Sequence, residues 1–190
     1  MALDRSFVEL NRASTQCIRN LAARLRDVEL QQPVGQHWTV AIVFAHLAFW
    51  DRRVLYVLDR TERDGKLFIP EIDIVVNDLS LPLWAAIPPR EAAWIAIETS
   101  ETLDKRLEEY SPALLEEIFN YNKRWVVRSL HRGGHLDEAE AALKSYSFQE
   151  KGFKRNGQHI KRPLGFCLDG ICPSRLGPSP DVGQSSATSR

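Results

Sequence analysis

Apolar residues recur at helical spacing in the first third of the chain and predict two helices there. The first runs from about Asp4 to Val28, with polar residues between its apolar positions. The second runs from Val40 to about Arg60 and contains neither glycine nor proline. Thr39 suits its N-cap, because a threonine hydroxyl can accept a hydrogen bond from an early helical N–H group. More than half of its first three turns is apolar, which favours a helix buried on two sides.

Two further helices are predicted in the second half of the chain. The third opens at Pro89, which suits a first helical turn, and ends at Ser111–Pro112. The fourth runs from about Lys123 to Lys144, and "SPALLEEIF" between them predicts one or two helical turns. The residues expected to face the core from the third helix are Trp94, Ile97, Leu103 and Leu107. Those expected from the fourth are Trp125, Val126, Leu130, Ala139 and Leu143.

A long connection, Thr61 to Pro89, separates the second and third predicted helices. At about 28 residues with one glycine and four prolines, it is too long for a tight turn. It favours a crossover along the length of a helical bundle, which leaves the flanking helices parallel. The segment "DIVVNDL" within it suggests a short strand, although no partner strand is evident. The predicted fold class is therefore all-α.

Charge divides the 190 residues unevenly although their formal net charge is zero. Residues 1–150 carry 18 basic and 23 acidic side chains, whereas residues 151–190 carry 7 and 2. We therefore predict one helical domain over residues 1–146 and a basic, Gly/Pro/Ser-rich, disordered tail over residues 147–190. The alternatives for the tail are weak nucleic-acid contacts or a non-functional extension from a shifted reading frame, and nucleic acid is not an expected partner.

Several protein classes are disfavoured by the sequence. The longest mostly apolar run, 13 residues around His46, is too short to cross a bilayer, so no membrane partner is expected. The charged first ten residues are unlike a signal peptide. Cys17, Cys167 and Cys172 are odd in number, and the last two are spaced more widely than zinc-knuckle cysteines. These features predict a soluble, cytoplasmic protein without a disulfide framework.

The segment "SLHRGGHLDEAEAAL" places His131 and His135 four residues apart in the fourth predicted helix. At this spacing both imidazoles lie on one helical face and can reach a single metal ion. Gly133 and Gly134 lie between them, and each costs roughly 1 kcal/mol relative to alanine in a helix interior. The glycines either allow a close approach or mark a break. We favour the intact helix, because the residues that follow are strongly helical.

His46 lies within the very apolar stretch "AIVFAHLAFWDRR" of the second helix. A buried imidazole needs polar partners, since leaving it unsatisfied costs about 1–3 kcal/mol. His46 is either a core histidine bonded to a carboxylate or hydroxyl, or a third metal ligand. Its spacing alone favours the core histidine. Trp38 and Trp50, on either side of it, are expected in the core rather than as a platform for substrate.

Two motifs resemble those of a known family. "WTVAIVFAHLAFWDRR" resembles the second-helix motif of the DinB-like family, with a Trp-Thr start, a His-Leu pair and an aromatic residue. "HRGGHLDEAE" resembles its fourth-helix motif, His-x-x-x-His-Leu followed by an acidic residue. The order, the 85-residue gap from His46 to His131 and the long connection also fit. The resemblance covers roughly residues 4–146.

The resemblance implies a four-helix bundle of up-down-down-up topology with the long crossover between helices 2 and 3. It implies a divalent metal ion, zinc or nickel, held by His46, His131 and His135 with open coordination positions. Some relatives are thiol-dependent S-transferases or isomerases, such as the mycothiol-dependent maleylpyruvate isomerase. Others are stress-induced proteins without an assigned reaction, and one branch protects against a genotoxic metabolite. Many form homodimers.

Five charged residues near the motifs are candidates for supporting roles. Asp51 and Glu138 could orient a ligand histidine. Arg52, Arg53 and Arg128 could bind the anionic group of a low-molecular-weight thiol cofactor. The alternative for all five is an ordinary solvated charge on a helix surface.

Three functional hypotheses follow. The first is a metal-dependent enzyme acting on a small-molecule substrate, as a thiol-dependent S-transferase or isomerase, with no catalytic residue assigned. The second is a metal-binding stress-response protein without turnover. The third is a helical interaction module whose histidines are structural.

Overall fold

The computed structural model describes residues 3–72 and 75–155, with side chains as far as residue 147. These residues are mostly helical, as predicted, with one small hairpin. The helices are α1 (Phe7–Arg24), α2 (Asp27–Leu30), α3 (Val40–Asp64), α4 (Val76–Ala85), α5 (Pro89–Glu109), α6 (Pro112–Tyr121), α7 (Lys123–Val126) and α8 (Ser129–Arg155). The antiparallel strands are β1 (Pro33–Val34) and β2 (Trp38–Thr39). None of the described helices is apolar enough over a sufficient length to cross a bilayer.

The four long helices, α1, α3, α5 and α8, pack side by side. Helix α5 contacts α1 and α3, and α8 contacts the same two helices. Two apolar clusters form the core: the first includes Ile18, Leu47 and Leu136, and the second includes Val54 and Leu103. Polar side chains are also buried within the bundle. They include Asn11, Ser14, Thr15, Asp51, Ser100, Asp104, Arg128 and Arg132.

Helix α3 forms as its sequence predicts. Thr39 is the N-cap, and its side-chain oxygen accepts a hydrogen bond from the Ile42 amide at 3.3 Å. The helix ends at Gly65, whose φ of +64° is the left-handed conformation that glycine adopts readily. The first turns are buried on nearly every side, which explains their almost continuous apolar sequence.

Two connecting segments differ from the predictions. The first predicted helix is two helices, α1 and α2, because the backbone is extended at Leu25 and Arg26. The suggested strand in the crossover is wrong, since α4 occupies residues 76–85. The described residues of the crossover contain no strand that could pair with this segment. A helix instead satisfies its own backbone and brings Trp84 into the core.

Two predicted core residues lie at the surface. The side chains of Trp94 and Leu130 are 55% and 44% exposed. Helix α5 faces the core through small residues in its first turns, so Trp94 points away. The buried apolar residues of α5 are Ala92, Ala93, Ala96, Leu103 and Leu107.

The fourth predicted helix is divided into α7 and α8 at Val127–Arg128. Helix α8 is continuous through Gly133 and Gly134, which confirms the interpretation of an intact helix around the two histidines. It extends to Arg155, and the rest of the predicted tail, residues 156–190, lies outside the described residues.

Candidate metal centre

Three histidines meet where α3 and α8 are in contact. His46 comes from the buried part of α3, and His131 and His135 come from successive turns of α8. One ring nitrogen of each lies within 4.8 Å of the other two. The closest pair is Nε2 of His46 and Nε2 of His135, at 3.1 Å. The structure therefore brings together the three residues predicted as metal ligands.

Tryptophan rings surround the triad. The Trp38 ring, from β2, stacks on His135 and lies 4.6 Å from the His46 ring centroid. Trp84, from α4, meets His46 edge-on at 5.3 Å, and Trp50 contacts both His46 and His131. Trp38 and Trp50 were expected only as core residues, whereas they line the site. Trp84 was not singled out, because its position depends on how the crossover folds back.

Burial keeps two of the imidazoles neutral. The pKa of His46 is lowered to about 3, mainly by burial and then by the neighbouring His135 and Arg128. The pKa of His131 is also lowered far below its usual value, by burial and by the charge of Arg128. Neutral imidazole is the form that binds metal ions, so these two ligands need release no proton near pH 7.

Glu138 lies where a histidine-orienting carboxylate was predicted. Its Oε2 is 3.1 Å from Nδ1 of His135, one turn earlier on α8. An ionised carboxylate can only accept, so Nδ1 carries the hydrogen and Nε2 keeps its lone pair. That lone pair faces His46. Carboxylates commonly hold metal-binding histidines in this way.

Asp51 has a different role from the one predicted. It is fully buried, and its carboxylate accepts from Nε of Arg128 and Nε of Arg132, both at 2.8 Å, and from Oγ of Ser100. It makes no hydrogen bond to a histidine among the described residues. Arg128, immediately before α8, and Arg132, one turn later on that helix, occupy both of its oxygens. It reaches the triad only through Arg128, whose Nη2 lies 3.0 Å from Nδ1 of His131.

The three arginines predicted to bind an anion lie in different environments. Arg128 is buried and engaged by Asp51 and the Arg124 carbonyl, so it is not free for a cofactor. Arg52 is exposed at the edge of a small apolar cavity of about 170 Å³. Arg53 is half-buried, with its guanidinium over the rings of Trp50 and Trp125.

The donor set suits a borderline divalent ion. Three neutral imidazoles are typical ligands of zinc and nickel and leave further coordination positions open. Tetrahedral bonds of 2.0–2.1 Å place ligand nitrogens roughly 3.4 Å apart. The pair at 3.1 Å and the 4.8 Å limit for the triad bracket that separation. Nδ1 of His46 is buried without a hydrogen-bond partner among the described residues.

Comparison of the chain with protein-family models, curated proteins and solved structures finds no match.

Proposed function

We propose that the chain is a DinB-like metalloprotein in which His46, His131 and His135 bind one zinc or nickel ion. The observation that carries this is the convergence of three imidazoles from two helices, with donor nitrogens within 4.8 Å, one ring buried and two half-buried. The sequence motifs around these histidines add support that does not depend on the geometry.

The contacts between helices support the family's bundle topology. Between α1 and α5, Arg12 pairs with Glu108 and Arg19 with Glu101, so residue numbers run in opposite directions. Between α3 and α5, Asp51 bonds Ser100 and Asp59 bonds Arg106, so residue numbers rise together. Between α3 and α8, His46 contacts His135 and Asp51 binds Arg132, so residue numbers run in opposite directions. This pattern fits an up-down-down-up bundle.

The proposed chemistry follows from the open coordination positions. A bound divalent ion lowers the pKa of a coordinated water or thiol and so supplies a nucleophile near neutral pH. Glu138 orients His135, and the rings of Trp38, Trp50 and Trp84 restrict water around the ligands. Together with the family resemblance, these features favour a thiol-dependent S-transferase or isomerase acting on a small molecule. The homodimer and the cytoplasmic location stay predictions.

A second candidate is a helical module with structural histidines. The hydrogen bond between Nε2 of His46 and Nε2 of His135 favours it, because that contact needs no ion. In this alternative His46 donates at Nε2, and its buried Nδ1 is an acceptor without a described partner. Such a group costs about 1–3 kcal/mol, which weighs against this candidate without removing it.

Metal content tests the proposal. Untagged protein incubated with zinc or nickel is dialysed and analysed by mass spectrometry, beside His46→Ala, His131→Ala and the control His37→Ala. His37 is exposed, so its loss leaves the triad intact. We expect about one equivalent in wild type and the control, and none in the two triad variants. Absence of metal from wild type would favour the module with structural histidines.

Activity separates the enzyme from a metal-binding stress protein. Metal-loaded protein is incubated with a low-molecular-weight thiol and an electrophile. Loss of free thiol reports S-transfer, and conversion of the electrophile without loss of thiol reports isomerisation. Turnover that disappears in His131→Ala supports the enzyme. Metal binding without turnover across a panel of thiols and electrophiles supports the stress protein.

A further inference from the structure

Arg53 is a partly buried cation held by aromatic rings. Its Cζ lies 5.4 Å from the Trp50 ring centroid and 5.1 Å from that of Trp125. Its one hydrogen bond is long, with Nη2 donating to the Pro70 carbonyl at 3.4 Å. Its Nε is buried without a partner among the described residues. The guanidinium therefore has unused donors and little compensation for its lost hydration.

Several other arginines among the described residues are paired with carboxylates. Arg12 binds Glu108, Arg106 binds Asp59 and Arg128 binds Asp51. Arg53 has no such partner among the described side chains, although burial lowers its pKa and thus disfavours its charge. A partly desolvated guanidinium of this kind gains strongly from an anion that supplies the missing acceptors.

The position of Arg53 connects it to the triad. His46, Trp50 and Arg53 are spaced i, i+4 and i+7 on α3, so they share one face. The helical rise separates the first and last by roughly 10 Å along the axis. The Trp50 ring centroid lies 6.1 Å from that of His46 and 6.4 Å from that of His131, and the Arg53 guanidinium lies over the same ring.

The arginine nearest the triad is already engaged. Arg128 contacts Nδ1 of His131, and the nearest buried carboxylate, Asp51, binds both Arg128 and Arg132. Arg53 differs from these two arginines, because no carboxylate binds it among the described residues.

We propose that Arg53 binds a carboxylate group of the small molecule whose other end reaches the histidine triad. A planar carboxylate matches the edge of a guanidinium through two parallel hydrogen bonds. The two indole rings occupy positions over the guanidinium, which favours approach along its edge. The position of the ligand's reacting end rests on the proposed metal site, whereas the carboxylate contact at Arg53 does not.

Calorimetric titration with adipate, a six-carbon dicarboxylate, tests the inference. Its first carboxylate tests the contact with Arg53, and its second tests whether a group attached to that carboxylate reaches the triad. Wild type, Arg53→Gln, Arg53→Lys and the control Arg52→Gln are compared, each metal-free and zinc-loaded. Arg52→Gln removes the same charge from an exposed neighbour. Circular dichroism establishes that each variant is folded.

We expect Arg53→Gln to weaken adipate binding by about tenfold or more, as the loss of charge-assisted hydrogen bonds predicts. Arg53→Lys keeps part of the affinity, and Arg52→Gln stays within about twofold of wild type. Zinc loading tightens adipate binding relative to hexanoate, which has a single carboxylate. Inorganic phosphate binds more weakly than adipate, because it lacks the planar geometry and the second carboxylate.

Several results would overturn the inference. These are undetectable adipate binding by wild type, equal affinities of wild type and Arg53→Gln, or tighter binding of phosphate than of adipate. The metal site can fail separately. If wild type takes up no zinc but binds adipate through Arg53, the carboxylate contact stands and the proposed function falls.

Discussion

Nη2 of Arg128 lies 3.0 Å from Nδ1 of His131, and a guanidinium can only donate hydrogen bonds. His131 therefore accepts at Nδ1 and carries its hydrogen at Nε2. A metal ion bound through Nε2 would need the lone pair of that nitrogen, so the hydrogen would move to Nδ1 and Arg128 would lose its acceptor. A bound metal ion and Arg128 would thus compete for His131.

Arg128→Gln should strengthen zinc binding by about tenfold, equivalent to about 1.4 kcal/mol. The glutamine removes a positive charge beside the site, and its amide oxygen can accept from Nδ1–H of His131. Competition with a chromogenic chelator measures the affinity, with circular dichroism as a folding control. Arg124→Gln is the matched variant, since it removes a nearby charge without touching that hydrogen bond, and we expect a smaller gain. Weaker zinc binding by Arg128→Gln would contradict this competition.

His46 should make the metal-free protein sensitive to mild acid. Its folded pKa of about 3 lies below the unfolded value of about 6.5, so the unfolded chain takes up the proton first as pH falls. The free energy of unfolding is unaffected above pH 6.5 and decreases between pH 6.5 and 3, by about 2 kcal/mol from pH 7 to 5. Urea unfolding with a chelator present measures this. In His46→Phe the free energy of unfolding should decrease less over the same pH range. Parallel pH profiles for the two proteins would refute the assignment of this decrease to His46.

Arg132 should contribute strongly to stability. It is fully buried, with Nε 2.8 Å from Asp51 and Nη1 2.9 Å from Asp104. Arg132→Met leaves buried carboxylates without this partner and should lower the free energy of unfolding by about 3–5 kcal/mol. Arg12→Met is the control, because Arg12 is 54% exposed in its pair with Glu108 and should cost less than about 1 kcal/mol. Similar urea midpoints for the two variants would show that the buried ion pairs contribute little to the free energy of unfolding.

Gly134 should tolerate alanine despite its place between the histidines. A Cβ at this position would meet nothing within 4 Å, and its backbone is helical. Gly134→Ala should therefore raise the free energy of unfolding by roughly 0.5–1 kcal/mol. Gly35→Ala is the contrasting variant, because Gly35 has a φ of +65°, which alanine adopts only with strain. We expect that variant to be less stable than wild type. Thermal unfolding of the two variants distinguishes them, and a destabilised Gly134→Ala would point to a close approach in the functional state.

Local patterns predicted the features that depend on local physics. The Thr39 cap and the intact helix through Gly134 follow from neighbouring residues, and both are present. The pairing of His131 with His135 needs only the helical repeat. Bringing His46 to them needed the family motif, because spacing alone favoured a core histidine.

The rest depended on contacts between distant parts of the chain. Asp51 looked like an ordinary surface charge, because its partners Arg128 and Arg132 lie 77 and 81 residues away. Trp84 lines the site only because the crossover forms helix α4, which packs against α3. Trp94 has the helical spacing of a core residue but lies outside, since the alanines beside it make the closer packing.

His46 and His135 are 89 residues apart in sequence, yet their ring nitrogens touch. An ion shared by them would tie α3 to α8 and close a loop of nearly half the chain. Such a tie restricts the unfolded ensemble much as a disulfide does, and long loops are restricted most. The cellular supply of the ion would then set the lifetime of the folded protein against proteases, as well as any chemistry at the site.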